Sequence, residues 1–266
     1  MTSFFVTRNC TAWFFFRPGV FFLRKVWYSK NMKTELENPS EFEARGADWH
    51  IWEALLVLLA ATFLASLPGL FAASADSLIG LNLVAYLLQE GSFFVLPLAL
   101  TAAHGLPVSV LGFGKLRWRS IRIGLLAGVA LYLLNILLSS ISAALLPEDL
   151  QQPQSILLLF SLAENRIELI LLAVFTALLA PLGEEVAFRA FLLPPLLQRY
   201  RKWVAYIICG AIFAAMHLNL AVFLPLFAGG VGFAWLYGKF GDSYSNIVAH
   251  MVWNGIALFL LFLLNS

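Results

Sequence analysis

From Ile51 onward the apolar positions of this chain neither alternate nor recur on one face; they run together. The runs are Ile51 to Phe71, Leu78 to Ala103, Ile121 to Leu146, Ile167 to about Leu197, Trp203 to Leu218, Ala221 to Tyr237 and Asn246 to Leu264. A hydrocarbon core about 30 Å thick needs ~20 apolar residues per helix. The pattern therefore predicts an all-α, polytopic transmembrane bundle of about seven spans, or eight if the long fourth run breaks near Pro181. Ser155 to Leu162 is apolar but too short to cross, and reads as an interfacial or re-entrant piece on the far side.

Residues 1–50 have a different texture. Aromatic clusters (Phe4, Phe5, Trp13 to Phe16, Phe21, Phe22) alternate with Arg8, Arg17, Arg24 and Lys25, and Pro18 interrupts any helix. This is neither a spanning segment nor a secretory signal, which would show one unbroken apolar stretch and a small-residue cleavage site. Two readings stand: an interfacial anchor, because basic and aromatic residues both favour the headgroup layer, or translation from Met32 with an ordinary polar leader, Lys33 to Asp48. The chain thus divides into a cytoplasmic leader or interfacial segment, 1–50, and the bundle, 51–266.

Composition agrees with the pattern: of 266 residues 61% are hydrophobic and 12% charged, and the net charge of +2 is too small to suggest a nucleic-acid partner. Cys10 and Cys209 share no metal-ligand spacing and make no disulfide framework. Lys115, Arg117, Arg119 and Arg122 precede the third span and Arg199, Arg201 and Lys202 separate the fourth from the fifth, whereas Asp76, Glu148 and Asp149 occupy alternate loops. The positive-inside rule then places the N-terminus in the cytoplasm and, with seven spans, the C-terminus outside. Gly124 and Gly128 form a G-x-x-x-G, and Ala228 to Gly232 is rich in small residues; both let helix backbones approach closely.

Against this background the polar residues of the last spans stand out. Glu184, Glu185, Arg189, His217, His250 and Asn254 lie in or at the ends of apolar runs, where an ionisable group costs roughly 2.5–3.5 kcal/mol on insertion scales. His250 and Asn254 are spaced i, i+4 and share a helical face, as do Phe213 and His217. Glu184 and Glu185 point about 100° apart on a regular helix and so have different jobs. Glu185 and Arg189, at i, i+4, are placed to pair, which leaves Glu184 for the cavity. Glu184 and His217 are equidistant from the turn at Arg199 to Lys202, at a depth of about 25 Å along the helices. Either the hairpin projects beyond the membrane or the site is deep.

Peptide hydrolysis needs a base to deprotonate water and donors to stabilise the oxyanion of the tetrahedral intermediate. Glu184 can act as the base with His217 positioning the same water, while His250 and Asn254 supply the donors. The strings E-E-x-x-x-R (Glu184 to Arg189), F-x-x-x-H (Phe213 to His217) and H-x-x-x-N (His250 to Asn254), in this order on successive late helices, resemble the CAAX prenyl protease and bacteriocin-processing (Abi) family. The resemblance runs roughly from Leu171 to Leu260, within a core of about 167–264. It implies an intramembrane endopeptidase of the type II CAAX protease kind, acting on a membrane-anchored protein or peptide, prenylated CAAX-type substrates included. It also implies Glu184 as the water-activating base with His217, Glu185 and Arg189 in support, and His250 with Asn254 on the oxyanion side. Ala190 stands where many members have Gly.

The resemblance favours direct activation of water by glutamate, with no cofactor. A zinc or other divalent metal is the alternative, and Glu184, His217 and His250 would be its ligands; no H-E-x-x-H is present. Two other functions compete: a non-catalytic membrane module of the same fold, such as a bacteriocin-immunity or scaffold protein, and a proton- or ion-coupled transporter. The latter usually shows internal repeats or paired broken helices, and no convincing repeat is visible. The residues that remain have simpler readings. His50 and His104 read as interfacial, Gln89, Asn82 and Asn135 as inter-helical hydrogen-bond partners, and Glu90 as a further partner for the ion-pair cluster.

Overall fold

The structure, a computed structural model, describes residues 47–74, 78–152 and 154–264, so the readings made for positions 1–46 lie outside the described residues. What is described is helical, as the apolar runs predict. The helices are α1 (Ile51–Ser66), α2 (Leu78–Ala103), α3 (Trp118–Leu145), α4 (Ser155–Leu162), α5 (Arg166–Arg199), α6 (Lys202–Met216), α7 (Leu220–Phe240) and α8 (Ser243–Leu264). A 3₁₀ segment, Leu67–Ser74, extends α1. Six of these, α1 with its extension, α2, α3, α5, α7 and α8, are long and apolar enough to cross a membrane. The fifth apolar run forms α6, an apolar helix of only 15 residues, or about 22 Å. α4, of 8 residues, is the short apolar piece anticipated between the third and fourth spans.

The loops gather at two ends. Ser243 donates to the carbonyls of Leu111 (side chain, 2.5 Å) and Gly112 (backbone, 3.2 Å), and Gln198 donates to Ala47. The turns after α2, α5 and α7 and the entry to α1 are thereby joined at the end that carries the Lys115 to Arg122 and Arg199 to Lys202 clusters. At the other end Ser142 donates to Ala221 and Asn219 to Gln152, joining the exits of α3 and α6. α6 therefore runs from one end to the other despite its length.

Close packing uses the small residues. A Cβ on Gly124 would lie 2.6 Å from Val248 Cβ, and one on Gly128 2.5 Å from the Ala249 carbonyl, so the G-x-x-x-G of α3 receives α8 backbone to backbone. Gly210 and Gly230 bring α6 and α7 together in the same way. Trp49, 1% exposed, stacks on Phe191 at 4.6 Å and belongs to the core of the bundle.

α5 carries two π-helical stretches, Phe175–Leu179 and Glu185–Leu192, separated by one turn containing Pro181 and Glu184. The expected break at Pro181 takes this form: the helix continues but widens. Prolines leave backbone carbonyls without their N–H partner, and side chains from elsewhere fill them. Pro195 returns no N–H to Phe191, whose carbonyl accepts the Trp49 indole N–H at 2.8 Å. Pro181 likewise leaves the Thr176 carbonyl, five residues back in the π stretch, open to Asn254 at 2.8 Å.

Candidate active site

The turn between the two π stretches aims Glu184 into a cavity of about 480 Å³ between the helices. Glu184, Phe213, His217, His250 and Asn254 all line it. Glu185 and Arg189 stand behind its wall, at 1% and 0% exposure. The adjacent glutamates thus separate as their angular spacing on the helix requires, one facing the cavity and one the packed interior.

Behind the wall the Glu185 carboxylate is fully supplied with donors, while among the described residues Arg189 Nε and Asn246 Oδ1 have no hydrogen-bond partner. Glu185 Oε1 accepts from Arg189 and from His250 Nδ1, each at 2.8 Å, and its Oε2 accepts from Asn246 at 3.1 Å. Asn246 also donates to the Phe233 carbonyl. The Arg189 guanidinium lies over the rings of Phe213 (4.4 Å) and Phe233 (5.1 Å) and donates to the Gly230 carbonyl, cation–π contacts that suit a planar cation removed from water. Phe233 stacks on the His250 ring at 4.8 Å. His250 is therefore fixed on one edge by a carboxylate and on one face by an aromatic ring.

That clamp decides what His250 offers the cavity. A carboxylate only accepts, so Nδ1 carries the proton, and in the neutral ring Nε2 presents a lone pair. Nε2 lies 3.6 Å from Glu184 Oε2, beyond direct hydrogen-bond reach but within range of one bridging atom. His217, at the end of α6, turns its Nδ1 to the Phe213 carbonyl at 2.9 Å and likewise leaves Nε2 outward. Asn254 spends one amide N–H on Thr176 and keeps the other.

The six residues read from the sequence are therefore brought together in two layers, with one change of pairing. The histidine beside Glu184 is His250, whereas His217 shares the cavity from the end of α6. Among the described residues no group of three or more His, Cys, Asp or Glu is arranged to hold a metal ion.

Some residues of the site were not singled out beforehand. Asn246 is one: it lies four residues before His250 on the same face, the spacing that joins His250 to Asn254, so the signal was present. Tyr86 is another, and Gln89 and Asn135, read from the sequence as inter-helical hydrogen-bond partners, also line the cavity. Glu90 does so too, at 7% exposure, and instead of joining the Arg189 pair it lies against Gly183 of α5. Away from the site, His104 is more than an interfacial residue: its Nε2 lies 2.8 Å from Glu53 Oε1, and Glu53 also closes the capping box at His50.

A carboxylate and histidines around a cavity in a helical bundle with several membrane-length helices are groups that hydrolysis within a membrane would use. Residues 166–256, which hold every one of the six residues, match the family described as "Type II CAAX prenyl endopeptidase Rce1-like". The family recognised in the motifs is the one the chain matches there, and the match points to an intramembrane endopeptidase of the CAAX-protease type. No curated protein and no solved structure matches the chain.

Proposed function

We propose that this protein hydrolyses a peptide bond in a membrane-anchored protein or peptide, with Glu184 as the base that activates water. The observation that carries the reading is the placement of Glu184. It is the carboxylate that faces the cavity from the turn between two π stretches, 3.6 Å from a histidine whose far edge is already tied.

In this mechanism water sits between Glu184 and the histidines, Glu184 takes its proton as the oxygen attacks the scissile carbonyl, and the protonated Glu184 then gives that proton to the amide nitrogen as the C–N bond breaks and the amine leaves. The outward Nε2 of His217 accepts from the same water and orients it. The remaining amide N–H of Asn254 donates to the oxyanion. His250 can donate beside it from Nε2 only when doubly protonated, with Glu185 on its other edge. Glu185 and Arg189 work through His250 and are positioning residues. No step passes through a metal.

The end of the bundle bearing Lys115 to Arg122 and Arg199 to Lys202 is assigned to the cytoplasm by its charge, which makes the N-terminus cytoplasmic. Lipid surrounds the exposed apolar faces, and a lipidated or transmembrane anchor on the substrate remains in that lipid. The test is cleavage of fluorogenic, lipid-anchored peptides, prenylated ones among them, by protein reconstituted in nanodiscs. Wild type should cut at least one, and Glu184→Ala should not; full activity in the variant would overturn the mechanism.

A further inference from the structure

Glu90 is nearly buried in the middle of α2, and its Oε2 has no hydrogen-bond partner. Among the described residues it makes no ion pair, and the buried Arg189 is already held by Glu185. A carboxylate without a partner in a water-poor interior is strongly unfavourable. It is also held firmly. A Cβ on Gly183 would lie 2.6 Å from the Glu90 carbonyl and 2.7 Å from Oε2, so α2 presses directly on the residue that precedes Glu184. Glu90 and Glu184 both line the cavity.

The proposed hydrolysis leaves a matching need. Attack by water at Glu184 and oxyanion binding by Asn254 account for the carbonyl carbon and oxygen of the scissile amide. The amide nitrogen, one bond away, carries an N–H that points away from the carbonyl oxygen and becomes the leaving amine. Nothing in the mechanism yet holds that N–H.

We propose that Glu90 is a substrate-contacting residue whose unpartnered carboxylate oxygen accepts the N–H of the scissile amide and keeps hold of the amine as it departs. The inference rests on the hydrolytic reading above. It makes the site selective for amides over esters, because an ester oxygen carries no proton to offer.

The experiment pairs the lipid-anchored peptide that shows the fastest Glu184-dependent cleavage with its analogue in which an ester replaces the scissile amide. Wild type, Glu90→Leu, Glu90→Gln and Glu184→Gln are compared, and the melting temperature of each reconstituted protein is measured without substrate. Glu90→Leu should lower amide cleavage relative to ester cleavage by roughly 10- to 100-fold, and Glu90→Gln, which keeps an acceptor, should recover part of that ratio. Glu90→Leu should melt higher than wild type, by roughly 2–6 °C, since a buried polar group without a partner is removed. Equal losses on amide and ester, or a lowered melting temperature of Glu90→Leu, would overturn the role of Glu90 and leave the hydrolytic reading intact. Undiminished amide cleavage by Glu184→Gln would overturn that reading and the Glu90 subsite with it.

Discussion

Glu184 and Glu185 are neighbours in sequence and opposites in setting. Glu185 is 1% exposed and its two oxygens take three donors, from Arg189, His250 and Asn246. Glu184 looks into a cavity whose other polar atoms are only partly used: one N–H of Asn254, Nε2 of each histidine and Oε2 of Glu90. A carboxylate whose oxygens are all supplied with donors gives rigidity, and polar atoms left open to a cavity give chemistry at a cost in stability. They are consecutive residues of one helix, at the junction of an α turn and a π stretch, and their angular spacing around it is what separates Glu184 from Glu185.

If this contrast is right, mutations on the two sides fail in different ways. The largest effect belongs to Glu184. Glu184→Ala should remove proteolysis by ~100- to 10,000-fold, with its melting temperature unchanged or raised, as read by peptide cleavage and by thermal unfolding of the same preparation. Arg189→Ala strands the buried Glu185 charge and should cost about 3–5 kcal/mol of stability, visible as a large fall in melting temperature with cleavage lost as a consequence.

Asn254→Ala comes next, with about a 100- to 1,000-fold loss of kcat if its remaining N–H meets the oxyanion and a smaller effect on KM. Asn246→Ala should be milder. It removes one of the donors to Glu185 at a cost of about 1–3 kcal/mol, and partial activity should survive because His250 stays tied to Glu185. An Asn246 variant that is fully stable yet inactive would place Asn246 on the reacting side and erase the division.

Much of this arrangement is legible in the sequence, and the physical reasons differ by level. The helices follow from length and apolarity alone. The site residues follow from the cost of placing Glu, Arg and His among them, and their helical spacings assign Glu185 to Arg189 and His250 to the face of Asn254. The α6 helix stops short of the end of its apolar run because the chain leaves right-handed helical geometry at Leu218, with φ of 50°. Hydropathy does not sense such a turn.

The π stretches were also invisible to a regular-helix reading. Yet Pro181 and Pro195 mark where backbone carbonyls go unpaired, and Asn254 and Trp49 are the side chains that find them. For Glu90 the sequence shows an ionisable group in an apolar run and not what it touches, so the ion-pair cluster is the partner it suggests. The neighbour of Glu90 is set by the absence of a side chain at Gly183.

Activation of water by Glu184 without a metal is read out by cleavage of the lipid-anchored peptide panel by reconstituted wild type and Glu184→Ala, each with and without a zinc chelator. Cleavage should be abolished by the substitution and unchanged by the chelator. Cleavage that survives in Glu184→Ala, or that disappears on chelation and returns with zinc, would contradict metal-free activation by Glu184.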